Sequence, residues 1–156
     1  MVQILLLSGH HDRKAFDCGN PLLNSWLATT ASQHRQKGIS TTYVAVETAS
    51  SATIFGFYSV SVAELRSDEM PEAWSSKLPQ KVPVFRIGRL AVGSAHQGTG
   101  LGRLLLANAV SRLTRLASEV GGVGIIVEAK PNAVEFYRRE GFEQMPDHPQ
   151  NLFLPF

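Results

Sequence analysis

Gln97-Gly98-Thr99-Gly100-Leu101-Gly102 is the stretch of this sequence best suited to chemistry. Glycines at alternate positions let a backbone adopt positive φ and come close to a bulky anion. From Arg103 onward, Leu104, Leu105, Ala107, Ala109, Val110, Leu113 and Leu116 repeat at helical spacing, ending near Gly121-Gly122. The first N–H groups of that helix have no acceptor inside it, and the macrodipole adds partial positive charge there. Such an end binds a phosphate or pyrophosphate, and Arg103 could add a charge-assisted contact. An ordinary flexible turn is the plainer alternative. The spacing is not GxGxxG, no first βαβ unit surrounds it, and the GK[ST] ending is absent, so neither a dinucleotide fingerprint nor a P-loop fits. A second candidate is Tyr137, on a short helix spanning 133–140 and closed by Gly141. An aromatic on such a helix is more often core, as its neighbour Phe136 is read to be.

These residues need elements to hold them. The apolar run Ile4 to Leu7 predicts a first strand, and 10–17 reads as a polar turn. Asn20-Pro21 predicts a helix start, with Asn as N-cap and Pro at the first helical position. Leu22, Leu23, Trp26, Leu27 and Ala31 carry that helix to about Gln36, where Gly38 stops it. Strands over 41–46 and 54–62, joined by a turn at Ser50-Ser51, predict a hairpin. The segment 67–76 is loosely helical at most, and 77–83, broken by two prolines, reads as a surface loop. The extended run 84–92 leads into the glycine segment. A buried strand follows over 125–129, and a terminal strand includes Leu152, Phe153 and Leu154. The order predicts an α+β (α/β) fold with helices on both faces of a mixed sheet.

The 156 residues fit one domain, 1–156, and 44% hydrophobic with 18% charged composition is enough for a buried core. A net charge of +2 is too mild for a dedicated nucleic-acid binder. One cysteine, Cys18, excludes an intramolecular disulfide, and the cytoplasm is the natural reading. The N-terminal apolar stretch is too short for a signal-peptide core or a membrane span. No metal-ligand spacing stands out.

Gln97-Gly98-Thr99-Gly100-Leu101-Gly102 matches, position by position, the Gln/Arg-x-x-Gly-x-Gly/Ala pyrophosphate motif of the GNAT acetyltransferase family, which the sequence resembles. Asn132, Phe136-Tyr137 and Gly141-Phe142 resemble the family's second element, about forty residues on. The resemblance implies a GNAT fold: a mixed, mostly antiparallel sheet with splayed central strands. It implies acetyl-CoA as cosubstrate, held by Leu90, Ala91, Val92, the segment Gln97, Gly98, Thr99, Gly100, Leu101, Gly102 with Arg103, and by Asn132, Phe136 and Tyr137. Leu90 and Val92 would pair their backbone with the pantetheine arm. In the family the tyrosine equivalent to Tyr137 points at the thioester sulfur. A phenol of pKa about 10 can protonate a departing thiolate whose conjugate acid lies near 8.5.

More of the chain resembles the toxin branch of that family: Phe16-Asp17-Cys18-Gly19-Asn20, Leu23-Asn24-Ser25-Trp26-Leu27, Thr42-Tyr43-Val44, Gly56-Phe57-Tyr58, Pro83, Arg89-Leu90-Ala91-Val92, Val127-Glu128-Ala129-Lys130 and Leu152-Phe153-Leu154-Pro155. The likeness runs from about residue 10 to the C-terminus. It implies an aminoacyl-tRNA substrate acetylated on its α-amino group, a ribbon-helix-helix antitoxin as partner, and a homodimer. Among the basic residues, Arg35, Lys37, Arg86 and Arg89 are the candidates for tRNA phosphates; Arg13, Lys14, Arg138 and Arg139 also flank the relevant helices. Ordinary solvated charge is the alternative for all of them. The acceptor amine titrates at or below about 7.7–8, so no strong general base is demanded, and Glu128 and His34 are the only candidates noted. A GNAT enzyme acting on a small amine or a protein N-terminus, and a non-catalytic acyl-CoA- or RNA-binding module, are the competing readings. Pro131, directly before Asn132, departs from the expected pattern and forces Lys130 out of helical geometry.

Overall fold

The computed structural model describes residues 2–156. Its elements, in chain order, are β1 (Gln3–Leu6), α1 (Pro21–Ser25), a π-helical turn (Trp26–Thr30), α2 (Ala31–Gln36), β2 (Thr41–Val46), β3 (Gly56–Arg66), α3 (Glu72–Ser75), β4 (Lys81–Val92), α4 (Leu101–Val120), β5 (Gly124–Glu128), α5 (Val134–Arg139), β6 (Glu143–Met145) and β7 (His148–Pro155). The seven strands form one mixed sheet in the order β1-β2-β3-β4-β5-β7-β6. The expected mixed, mostly antiparallel sheet is present. Two compact units share the chain, and β3 and β4 contribute residues to both.

The first unit runs to Ser61 and resumes over Gly88–Val110. β2 pairs antiparallel with β1 and with β3, as the hairpin pattern predicts. α1 opens on Asn20, whose side chain accepts from the N–H groups of Leu22 and Leu23 at 3.0 and 3.3 Å, with Pro21 first in the helix. The expected helix from 21 to 36 is present but not regular, because a π turn interrupts it from Trp26 to Thr30. Phe16, Trp26, Leu27, Ala31, Val44, Val46, Ile54, Phe57 and Ala91 make this unit's apolar core. Leu101, Leu105 and Ala109 are buried at four-residue spacing, which turns one face of α4 inward.

The second unit comprises Val62–Ile87 and Ser111–Phe156. Here β4 pairs parallel with β5 over Phe85↔Ile125 to Ile87↔Val127, and β7 pairs antiparallel with β5 and β6. The recorded β4–β5 register stops at Ile87, while β4 itself continues to Val92. Met70, Val82, Val84, Met145 and Phe153 form its core, with Trp74 edge-on to Phe153 at 5.4 Å.

Two expectations need correction. The loop expected over 77–83 gives way to strand from Lys81 onward. Val82 and Val84 are buried while Lys81 and Pro83 are exposed, so alternation overrides the proline. Pro83, which has no N–H to leave unpaired, contributes its carbonyl to the N–H of Val123 at 3.0 Å. The short strand β6 was not expected, since Glu143-Gln144-Met145 carries no strand-forming pattern; pairing with β7 creates it.

Candidate active site

β4 ends at Val92, and the chain turns through Gly93 and a 3₁₀ turn, Ser94–His96, into the glycine segment. Gly98 and Gly100 have φ of +77° and +87°, and a Cβ at either position would meet no heavy atom within 4 Å. Glycine is therefore required here by backbone conformation rather than by crowding. The segment ends where α4, twenty residues long, begins. Two left-handed residues at the head of a long helix make a concave backbone suited to an anion.

The loop is braced from several directions. The Gln97 amide donates to the carbonyls of Val92 and Cys18, at 3.1 Å each, so the motif's first residue ties the loop to the strand end. The Thr99 hydroxyl donates to the carbonyl of His96. Gly93 N–H donates to Phe55 at 2.8 Å, and Ser94 N–H donates to the Asp17 carbonyl at 2.8 Å. The Asp17 carboxylate accepts from Gly19 N–H at 2.8 Å and from the Asn24 amide at 2.9 Å, which together hold its pKa below the usual value. Asn24 in turn accepts from Cys18 N–H at 2.9 Å. Asp17, Cys18 and Asn24, from the two family-like stretches 16–20 and 23–27, thus form the frame behind the glycine loop. Their type gave no sign of that role.

In β4, Ala91 is buried, while Leu90 and Val92 are half-buried. Arg89 is also half-buried, and its guanidinium carbon lies 4.2 Å from the centroid of the Trp26 ring. Loss of hydration pulls its pKa below the ordinary arginine value. Arg103 is exposed at the third position of α4, within its first turn.

Tyr137 lies in the second unit on α5 and is buried, with edge-on contacts to Phe136 at 5.1 Å and Phe142 at 5.5 Å. Burial pushes its phenol up to about 12. Its hydroxyl has no hydrogen-bond partner among the described residues. Phe136 is only half-buried rather than core. Asn132 is exposed in the 3₁₀ turn Pro131–Ala133, and Lys130, at φ −65° and ψ 155°, is extended as a residue before proline should be.

The basic residues are not equivalent. Arg35 and Lys37 are exposed at the end of α2; Arg35 donates to the Thr41 hydroxyl at 3.2 Å and borders a groove with Arg13, Ser8 and Ser32. Arg86, in the second unit, borders a cavity of about 60 Å³ that Glu69, Glu128 and His148 also line. Of the two candidate bases, Glu128 is exposed, and His34 is half-buried beside Ser40 at 3.1 Å. Among the described residues, no cluster of three or more His, Cys, Asp or Glu could hold a metal, and no helix is long and apolar enough to cross a membrane.

Residues 31–152 match the family model of the acetyltransferase (GNAT) domain. This chain belongs to the GNAT acetyltransferase family. Within it, the chain is similar to a tRNA-acetylating toxin of Mycobacterium tuberculosis (strain ATCC 25618 / H37Rv), 32% identical over 149 residues, covering 95% of this chain and 88% of the relative. Among solved structures it is similar to AtaT complexed with acetyl-methionyl-tRNAfMet, at a TM-score of 0.91 and 27% identity over 99% of this chain and 95% of that one. It is also similar to a tyrosine-to-phenylalanine mutant of the AtaT toxin bound to the C-terminus of the antitoxin AtaR and acetyl-CoA. There the TM-score is 0.85, with 25% identity over 99% of this chain and 92% of that one. The GNAT fold and the acetyltransferase assignment read from the two sequence motifs hold. Trp26, read from sequence as a helix-spaced apolar residue and as part of the toxin-like stretch Leu23–Leu27, was given no role there, yet it carries the Arg89 guanidinium on its ring face.

Proposed function

We propose that this chain, as one catalytic domain over 1–156, transfers acetyl from acetyl-CoA to the α-amino group of an aminoacyl-tRNA and thereby blocks translation as a toxin. The observation that carries this reading is the near full-length similarity to a tRNA-acetylating toxin, 32% identity over 95% of the chain. The similarity to AtaT with an acetylated methionyl-tRNA supports the same substrate class. A cytoplasmic location follows from that substrate. By the same likeness, an antitoxin with a ribbon-helix-helix head restrains the chain, which acts as a homodimer.

Acetyl-CoA supplies the acyl group as a thioester. Gly98 and Gly100, with the first turn of α4 and Arg103, hold its pyrophosphate. The backbone at Leu90, Ala91 and Val92 aligns the pantetheine arm, and an N–H near Val92 polarises the thioester carbonyl. The neutral amine then forms its bond to the carbonyl carbon while the carbon–sulfur bond breaks. Tyr137, neutral because its phenol is pushed to about 12, gives its proton to the sulfur. The acceptor nitrogen loses its surplus proton to water, and solvent reprotonates the phenolate. Arg35, Lys37 and Arg89 are the residues proposed for tRNA phosphates; Arg86, beside two carboxylates, is the least suited of the four.

The test is transfer of labelled acetyl from acetyl-CoA to a pool of charged tRNAs, with uncharged tRNA as control and Tyr137→Phe alongside. Label on charged tRNA alone is expected, with kcat lowered about 10²- to 10⁴-fold in the variant and acetyl-CoA binding kept. Label on small amines or peptides instead of charged tRNA would reject the substrate, and an unimpaired variant would reject the role of Tyr137.

A further inference from the structure

The structure assigns the Trp26–Arg89 pair as a phosphate subsite for the acceptor, with Arg89 the contact and Trp26 the positioning residue. Arg89 is half-buried and lies over the face of the Trp26 indole, 4.2 Å from its centroid. Among the described residues no carboxylate lies within ion-pair reach of it. A guanidinium carries five N–H donors in a plane, and stacking leaves that planar edge free for a bidentate acceptor. Partial burial raises what an incoming anion is worth, because the charge has already lost part of its hydration.

Trp26 is built for the purpose rather than for packing alone. It is 8% exposed, and its indole N–H is buried without a partner. A core tryptophan normally finds an acceptor for that group. The ring is held on two further sides, stacked on Phe57 at 6.0 Å and met edge-on by His34 at 5.6 Å. It is also the first residue of the π turn, and such wide turns gather at functional sites. A cation with no counter-ion among the described residues, lying over a ring whose N–H is unsatisfied, selects an anion.

This inference rests on the charged-tRNA reading and names which chemistry of that substrate meets Arg89: a phosphodiester, not the coenzyme, whose pyrophosphate goes to the glycine loop. The experiment measures transfer to charged tRNA, and binding of fluorescently labelled uncharged tRNA, for wild type, Arg89→Gln, Trp26→Leu and the double variant across a salt series. Arg66→Gln, which removes an equal charge from an exposed pair with Asp68, is the control and is expected to match wild type. For Arg89→Gln the KM for charged tRNA and the Kd for tRNA are expected to rise about tenfold or more, with KM for acetyl-CoA moving less than about twofold. The slope of log Kd against log salt should fall by about 0.7–0.9, one phosphate's share. Trp26→Leu should give part of that loss, and add little to Arg89→Gln. An unchanged slope in Arg89→Gln, or an equal rise in KM for acetyl-CoA, overturns the subsite while leaving the substrate standing. If wild type neither acetylates charged tRNA nor binds tRNA, the substrate reading and the subsite both fall. tRNA binding lost in Arg89→Gln without any transfer by wild type would keep the subsite and reject the reaction.

Discussion

At the scale of single residues the proposed chemistry concentrates in one phenol. Burial pushes Tyr137 up to about 12, so the hydroxyl stays protonated where the acceptor amine is already neutral. The kcat/KM for charged tRNA should therefore rise as the amine titrates, level off above about pH 8, and show no decline from this phenol below about pH 11. A pH–rate profile falling between about pH 9 and 10 would count against Tyr137 as the acid. The same shift has a stability consequence. The folded chain holds this proton more tightly than the unfolded chain, whose phenol titrates near 10, so the contribution is complete below about pH 10. It is lost as pH climbs from about 10 to 12, by about 3 kcal/mol in all. Urea midpoints at about pH 9 and 11 should fall further for wild type than for Tyr137→Phe; equal falls would refute the assignment. Tyr137 was legible in the sequence only through the company of Asn132, Phe136 and Gly141-Phe142. Trp26 was not, because helical spacing assigns a large apolar residue to the core and says nothing of a guanidinium from a strand more than sixty residues away.

At the scale of elements, the glycine loop proposed for the pyrophosphate has its shape imposed by the protein alone. Gln97, Ser94 and Gly93 fasten it to carbonyls of Cys18, Val92, Asp17 and Phe55, leaving Gly98 and Gly100 to carry the left-handed turns. Gly100→Ala puts a methyl into open space but onto a φ of +87°. The fold should survive, and the KM for acetyl-CoA should rise about five- to thirtyfold, the equivalent of the usual left-handed cost. Calorimetric titration with acetyl-CoA checks this, and unchanged affinity would mean that the turn is not required for binding. The glycine loop was legible because residue type alone carries it. The π turn and the strand over Lys81–Pro83 were not. The first follows from how Trp26 packs, and the second from burial of Val82 and Val84 that only the neighbouring strands provide.

At the scale of the whole molecule, a net charge of +2 leaves little long-range field to gather RNA. Affinity for tRNA must then come from a few local contacts, which is why the loss of one half-buried arginine should be felt. Induced expression of the chain in bacteria with no antitoxin supplied should arrest growth within a few generations. Tyr137→Phe, at equal soluble level, should not. Growth curves that coincide would remove the toxin assignment while leaving the acetyltransferase fold untouched. The family-level fold was legible from end to end because the motifs recur in fixed order. The acceptor was legible only as a class, since no short segment of sequence encodes which surface a nucleic acid will meet.

The π turn at Trp26–Thr30 also bears on how this chain is aligned with its relatives. A π turn holds one more residue than a regular one, so it is in effect a single-residue insertion in the middle of a helix. A relative with an unbroken helix here would be one residue shorter between Trp26 and Ala31. Deleting that residue would close the wide turn to a regular one and leave His34 and Arg35 on the faces they now occupy. An ungapped comparison across this helix would then pair the tryptophan correctly and misassign every residue after it.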